Sequence, residues 1–298
     1  MRKFAYCVTA AAVSATAAPA VAFDALEGRK SRSEILAATT DEDWREIPAE
    51  DLLLITLERG VVAIMLSQNL AQGHVAQART LAREKFFDGL SFYRVIDGFV
   101  AQGGDPFEER PVGSASKALK AEFETKVGDD FSFQPTPDAD VYAPKAGFSM
   151  SVPTGVDAGA GKAWHLHCAG AFAFGRNDAA DTASTEFYIA LQPQRYLDRN
   201  LSVAGRVVDG MEHLQALRRV EPPEAKEDDR GETILSVMLA SDIPEAQRPR
   251  FEILDSSRPA FLDTFEALRN RPEAFFHYRP GVADVCQFNV PVRRKATK

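Results

Sequence analysis

The 298 residues are enough for one large domain or two small ones with an ample core. A formal charge of −8, with no Lys/Arg cluster inside a predicted domain, argues against nucleic acid as a partner. The short basic run Arg293-Arg294-Lys295 reads as a solvated tail.

Arg2 and Lys3 precede an apolar, alanine-rich stretch from Phe4 to about Ala18, and Ala20-Val21-Ala22 follows as a small-x-small site. This is the pattern of a signal peptide over 1–22, cleaved near Ala22, too short for a durable membrane span. It predicts an exported, periplasmic protein with no membrane span in its mature form. Cys7 would leave with the leader, so the mature chain keeps Cys168 and Cys286. A cysteine pair in an oxidising compartment predicts a disulfide; two buried free thiols are the other reading.

Residues 23–48 are polar and mixed, with Trp44 the largest apolar side chain, and read as an extension lying on the surface. Leu52–Leu57, Glu58-Arg59-Gly60 and Val61–Leu66 then read as a β-hairpin. From His74 to Phe87, Val75, Ala78, Leu81, Ala82 and Phe86 recur at helical spacing, which predicts an amphipathic helix. Phe87-Asp88-Gly89-Leu90 turns the chain into Ser91–Ile96. There Phe92, Arg94 and Ile96 share one phase of an alternating pattern, and Tyr93 and Val95 share the other. A single cation on an otherwise apolar strand face is the most informative feature of the chain. Phe99, Gln102 and the pair Gly103-Gly104 follow, the glycines allowing a turn or a close backbone approach.

Residues 106–168 form a long connection rich in Pro, Gly and Asp, read as a functional or mobile loop. At its end, Trp164-His165-Leu166-His167-Cys168 puts two histidines on one strand face. Without a second ligand cluster, and with Cys168 committed to a disulfide, the expectation is no metal. No nucleophile elbow, zinc-protease, P-loop or dinucleotide fingerprint is present, so no cofactor is expected. In 241–298, Phe261, Phe265 and Leu268 are spaced as one face of a short helix.

The run Tyr93-Arg94-Val95-Ile96-Asp97-Gly98-Phe99-Val100-Ala101-Gln102-Gly103-Gly104-Asp105 resembles the signature of the cyclophilin-type peptidyl-prolyl isomerases. Further segments are similar to that family in the same order. They are Lys120-Ala121-Glu122-Phe123, Phe172-Ala173-Phe174-Gly175-Arg176, Thr182–Ile189, Tyr196-Leu197-Asp198 and Val203–Met211. A final strand at Ile234–Leu239 would complete a match over residues 49–240. The resemblance implies a mainly β fold, a cyclophilin-like closed antiparallel barrel of about eight strands capped by two helices. The helical extension at 241–298 would pack on that barrel, tied to it by Cys168–Cys286.

The resemblance also implies cis–trans isomerisation of X–Pro bonds in proline-containing polypeptides, here exported proteins. Arg94 and Gln102 would act on the bound peptide. Phe99, Val100, Tyr188, Leu197, Phe174, Glu186 and Arg176 would contact it. A cyclophilin-like module that binds a peptide or partner without turning it over is the alternative. A monomer is the default expectation. The chain departs from the family pattern with Tyr93 for a common histidine, Glu186 for glutamine and Tyr188 for phenylalanine. Arg176 stands for asparagine, Tyr196 for tryptophan or phenylalanine, and Leu201 for a frequent pocket histidine.

Overall fold

The computed structural model describes residues 28–220 and 230–295; the expected leader over 1–22 lies outside the described residues. Its main sheet has nine antiparallel strands. Their order is Glu232–Thr233, Ser91–Val95, Val100–Gly104, Phe187–Ala190, Ala171–Phe174, Val203–Asp209, Gly60–Leu66, Leu52–Leu57 and Ser236–Leu239. The first and last of these belong to one short segment of chain. Glu232–Thr233 pairs with Ser91–Phe92, and Ser236–Leu239 pairs with Leu53–Thr56, so one segment holds both edges and the sheet curls into a barrel. Closure in this way leaves little unpaired edge.

The barrel interior is aromatic. Phe92, Phe172, Phe174 and Phe187 are buried there with Leu53, Ile55, Val62 and Ile64. Phe187 meets Phe92 and Phe87 edge-on at ring-centroid distances of 5.6 and 5.1 Å. The expected helix spans Gln72–Arg83 and closes one end of the barrel with Val75, Ala78, Leu81 and Ala82. It stops one turn short of the expected Phe87, because Phe86 and Phe87 are needed in the turn that fills the barrel mouth. Glu122 caps its N-terminus, accepting the Gly73 and His74 backbone N–H groups at 2.9 and 3.0 Å. The second helix, Met211–Gln215, is short and buries Leu214.

Residues 106–168 are not a loop. They contain a five-stranded antiparallel sheet in the order Thr125–Lys126, Lys162–His165, Val152–Asp157, Lys145–Ser149, Gln134–Pro135. A third sheet joins Trp44–Glu46 to Phe251–Leu254 and Phe251–Leu254 to Val292–Arg294, so both terminal extensions meet in one unit. The basic run near the C-terminus is therefore structural. Arg293 and Lys295 both reach Glu252 at 2.7 Å, and Arg294 pairs with Asp209.

These additions share a second core on the outer surface of the barrel. Leu52, Leu54, Ala63 and Met65 point outward into it and meet Phe148, Trp164, Leu166, Phe261, Phe265 and Phe288. The helix at Pro259–Arg269 contributes Phe261 and Phe265, as the sequence spacing predicts. The unbroken apolar run Leu52-Leu53-Leu54-Ile55 follows from this arrangement, since both faces of that strand are buried.

Cys168, at the end of the inserted sheet, is joined to Cys286 in the C-terminal unit with their Cα atoms 4.9 Å apart. The bridge closes a sequence separation of 118 residues. In the chain-entropy account such a loop contributes about 4–5 kcal/mol. Thiol titration of denatured, unreduced protein should return at most the Cys7 thiol. Reduction should release two more and lower the melting temperature markedly. Release of two thiols before reduction would refute the bridge.

Candidate active site

The site lies on the outside of the barrel, where Val100–Gly104, Phe187–Ala190 and Ala171–Phe174 run side by side. Val100, Ala171, Ala173, Tyr188, Ala190 and Val203 form a small apolar cluster there, with the half-buried Phe99 and Leu201 packed against it. Its three alanines are smaller than the surrounding Val100, Tyr188 and Val203 side chains, a shortfall of side-chain volume termed the hollow. Tyr188, only 4% exposed, forms its floor. The Ile96–Val100 turn positions Phe99. Its N–H donates to Ile96 O at 3.1 Å, and its carbonyl accepts from Leu191 N at 2.8 Å. Gln194 Nε2 holds the Gly98 carbonyl at 2.8 Å.

Arg94 reaches this face by a departure from strict alternation. Ser91 pairs with Gly104 and Arg94 with Gln102, so two residues, Phe92 and Tyr93, oppose one. This β-bulge shifts the phase between Phe92 and Arg94. Phe92 and Val95 enter the inner core, whereas Tyr93 and Arg94 both reach the outer-face network. The expected grouping of Phe92 with Arg94 on one face is therefore corrected.

The Arg94 guanidinium sits 5.4 Å from the Phe99 ring centroid. Its Nη1 donates to Gln102 Oε1 at 3.1 Å. Gln102 Nε2 in turn donates to Glu186 Oε2 at 3.0 Å and to the Tyr93 hydroxyl oxygen, and that hydroxyl donates to Glu186. Burial, then the adjoining Glu186 charge, pushes the Tyr93 phenol well above its ordinary value and keeps it a neutral donor. Glu186 thus fixes which end of the Gln102 amide faces Arg94. Among the described residues neither nearby acid pairs with Arg94: Asp97 binds Arg219, and Glu186 accepts from Gln102 and Tyr93.

The two glycines give this network its closeness. A side chain on Gly103 would lie 2.9 Å from the Phe187 ring, and one on Gly104 would lie 2.7 Å from Thr185 O. Gly104 also has φ +126°.

The remaining expected contacts divide. Val100, Tyr188 and Phe99 line the hollow. Leu197 is half-buried in the Arg195–Leu197 turn beside the exposed Tyr196. Arg176 is committed to the backbone, donating to Asn200 O, Asn177 O and Asp178 O at 3.0, 2.7 and 3.0 Å. Phe174 is a correction: it points into the barrel interior, where its ring meets His74 edge-on at 5.5 Å. Ala171 and Ala173, on the other phase of the same strand, are the ones that face out.

The two histidines of the Trp164–Cys168 segment enter separate buried networks. His165 lies 3.3 Å from Thr154 Oγ1 and 3.1 Å from Asn69 Oδ1, and burial lowers its pKa to about 4. His167 contacts Asp198 and the Tyr188 hydroxyl. Among the described residues no group of three His, Cys, Asp or Glu side chains could hold a metal ion.

An apolar hollow beside a fixed guanidinium and an oriented amide defines a site for an extended peptide with a small ring-shaped side chain. The family profile described as cyclophilin type peptidyl-prolyl cis-trans isomerase matches residues 52–238. The chain belongs to this family and is a peptidyl-prolyl cis–trans isomerase of the cyclophilin type. A probable peptidyl-prolyl cis-trans isomerase of Brucella suis is 28% identical over 170 residues, 57% of this chain and 72% of the relative. Peptidyl-prolyl cis-trans isomerase B of Bacillus subtilis is 30% identical over 142 residues, 48% of this chain and 72% of the relative. The crystal structure of cyclophilin AquaCyp293 from Hirschia baltica superposes with a TM-score of 0.70 at 26% identity. That overlay covers 91% of this chain and 99% of the other, so the likeness extends past the profile match into the flanking units.

Replacing Glu186 by alanine leaves the Tyr93 hydroxyl without its acceptor and the Gln102 amide with only the Tyr93 oxygen, a loss of roughly 1–3 kcal/mol. Glu186→Ala should lower kcat/KM about tenfold, whereas Glu186→Gln, whose amide oxygen still accepts, should stay within about threefold. Equal effects of the two substitutions would refute the orienting role.

Proposed function

We propose that this isomerase acts on X–Pro bonds of exported polypeptides in the periplasm and assists their folding, with Arg94 as the catalytic residue. The N-terminal 1–22 pattern and the Cys168–Cys286 bridge support an oxidising destination outside the cytoplasm. We take 49–240 as the isomerase domain carrying the insertion 106–168, flanked by extensions at 23–48 and 241–298. The observation that carries the catalytic reading is the Arg94 guanidinium, held by Gln102 over the Phe99 edge of the hollow.

Rotation about the prolyl imide bond breaks no covalent bond, so no nucleophile, metal or acid–base pair is needed. The obstacle is lost resonance, a barrier of about 18–20 kcal/mol, which makes the uncatalysed exchange slow. As the bond twists, the imide nitrogen gains a localised lone pair. A site accelerates the rotation by binding that twisted form better than either planar isomer. The apolar surface of Phe99, Val100 and Tyr188 would hold the ring. Arg94, always charged and with planar donors, would donate to the nitrogen lone pair or to the adjoining carbonyl. Its tether to Gln102 reduces the reorganisation this requires.

On a chromogenic prolyl tetrapeptide, Arg94→Ala should lower kcat/KM about 10²–10³-fold with an unchanged circular dichroism spectrum. Rates for wild type and variant that both match the uncatalysed one would favour the peptide-binding module instead.

A further inference from the structure

The floor of the hollow is wired to the insertion. His167 Nε2 lies 2.8 Å from the Tyr188 hydroxyl, and His167 Nδ1 lies 3.1 Å from Asp198 Oδ1. Asp198 Oδ1 also accepts the His167 backbone N–H at 2.8 Å, and Asp198 Oδ2 accepts Arg195 Nε at 2.6 Å. Arg195 then makes two parallel bonds of 2.8 Å to the carboxylate of Asp140, which lies within the insertion. Asp140 in turn accepts the backbone N–H groups of Tyr142 and Ala143 at 2.9 and 2.8 Å. The side chains of His167, Asp198, Arg195 and Asp140 are 0, 4, 5 and 4% exposed.

Chemistry gives this chain a direction. The Asp198 carboxylate facing Nδ1 calls for an N–H there, and in the tautomer protonated at Nδ1 the Nε2 atom is the acceptor. The Tyr188 hydroxyl therefore donates to His167, which holds the ring at a set tilt in the floor of the hollow. Burial pushes the Tyr188 phenol up, and the Asp198 charge adds to this while Arg176 opposes it; the phenol stays a neutral donor. Burial disfavours the Arg195 charge, but the two flanking carboxylates outweigh it and raise its pKa. The same arginine begins the Arg195–Leu197 turn, which carries the exposed Tyr196 and the half-buried Leu197, and its guanidinium lies 5.2 Å from the Tyr142 ring.

We propose that Asp140 is a positioning residue for prolyl-peptide binding: through Arg195 it holds the Tyr196–Leu197 turn, and through Asp198 and His167 it sets the Tyr188 floor. The insertion thereby shapes the substrate site without touching substrate. This rests on the isomerase reading only for the identity of the occupant.

Asp138 supplies the control. It belongs to the same insertion and binds Arg269 and the Ala283 N–H, ties that lead into the C-terminal unit and away from the hollow. Binding of an Ala-Ala-Pro-Phe peptide is titrated by NMR well below the melting temperature, and kcat and KM are measured alongside. Asp140→Asn should weaken binding and raise KM about tenfold with kcat within about twofold. Asp138→Asn should lower the melting temperature and leave binding unchanged. In a Tyr188→Phe background the Asp140→Asn penalty should shrink, because the ring is no longer tied to His167. Should Asp140→Asn fail to fold, Arg195→Lys, which keeps the charge but loses the fork, should show the same weakened binding. Wild-type affinity in Asp140→Asn or in that substitute, equal weakening in Asp138→Asn, or an undiminished penalty in the Tyr188→Phe background would overturn the proposal. The titration needs no turnover, so an inactive wild type would refute the isomerase reading without deciding this comparison.

Discussion

Phe92, Phe172, Phe174 and Phe187 fill the inside of the curled sheet, and the rest of the molecule depends on that filled interior. These rings occupy the interior of a barrel that is only wide enough for side chains to fill it. The functional surface is therefore the outer face, and its shape is set by what each strand does not send inward. Ala173 faces out because its neighbours Phe172 and Phe174 face in; Val100 and Gln102 face out because Ala101 and Gly103 face in. The hollow is the counterpart of the core, produced by the same two-residue period.

Against this regular background, the bulge at Phe92–Tyr93 is the local departure that makes the chemistry possible. It brings a tyrosine and an arginine from adjacent positions to one face, where a single amide, Gln102, links them to Glu186. Tyr93 and Gln102 both donate to Glu186 there, and the Arg94 guanidinium, with one N–H on Gln102, lies beside the Phe99 ring. The added units bury the outer surface of the barrel over Leu52, Leu54, Ala63 and Met65. The Cys168–Cys286 bridge fastens them where the inserted sheet returns to the barrel.

Much of this was legible in the chain. The hairpin at 52–66, the Gln72–Arg83 helix and the Phe261/Phe265 helix carry strong periodicity, and the cysteine pair had one possible partner apiece once Cys7 was set aside. The inserted sheet was less visible because its strands are themselves poor in β-formers: Lys145–Ser149 has only Phe148, and Val152–Asp157 is interrupted by Pro153 and Gly155. Phe174 was assigned to the peptide on the resemblance alone, and a resemblance between segments does not say which phase of a strand faces the core. Tyr93 was assigned to the wrong face because a bulge leaves no mark in composition. His167 was read only as a metal candidate; its partners Asp198 and Tyr188 lie 31 and 21 positions away.

The order of motifs, the identity of Arg94, Phe99 and Gln102, and the alternation that sorts core from surface are local properties, and the sequence by itself determined the barrel and the kind of site it carries. Which face each aromatic occupies, which end of the Gln102 amide meets Arg94, and how Asp140 comes to lie four residues away by hydrogen bonds from Tyr188 were decided only by tertiary structure. Those relations join positions distant in the chain through the geometry of burial. A buried polar group must find a partner wherever the fold supplies one, and the linear pattern does not say where that will be.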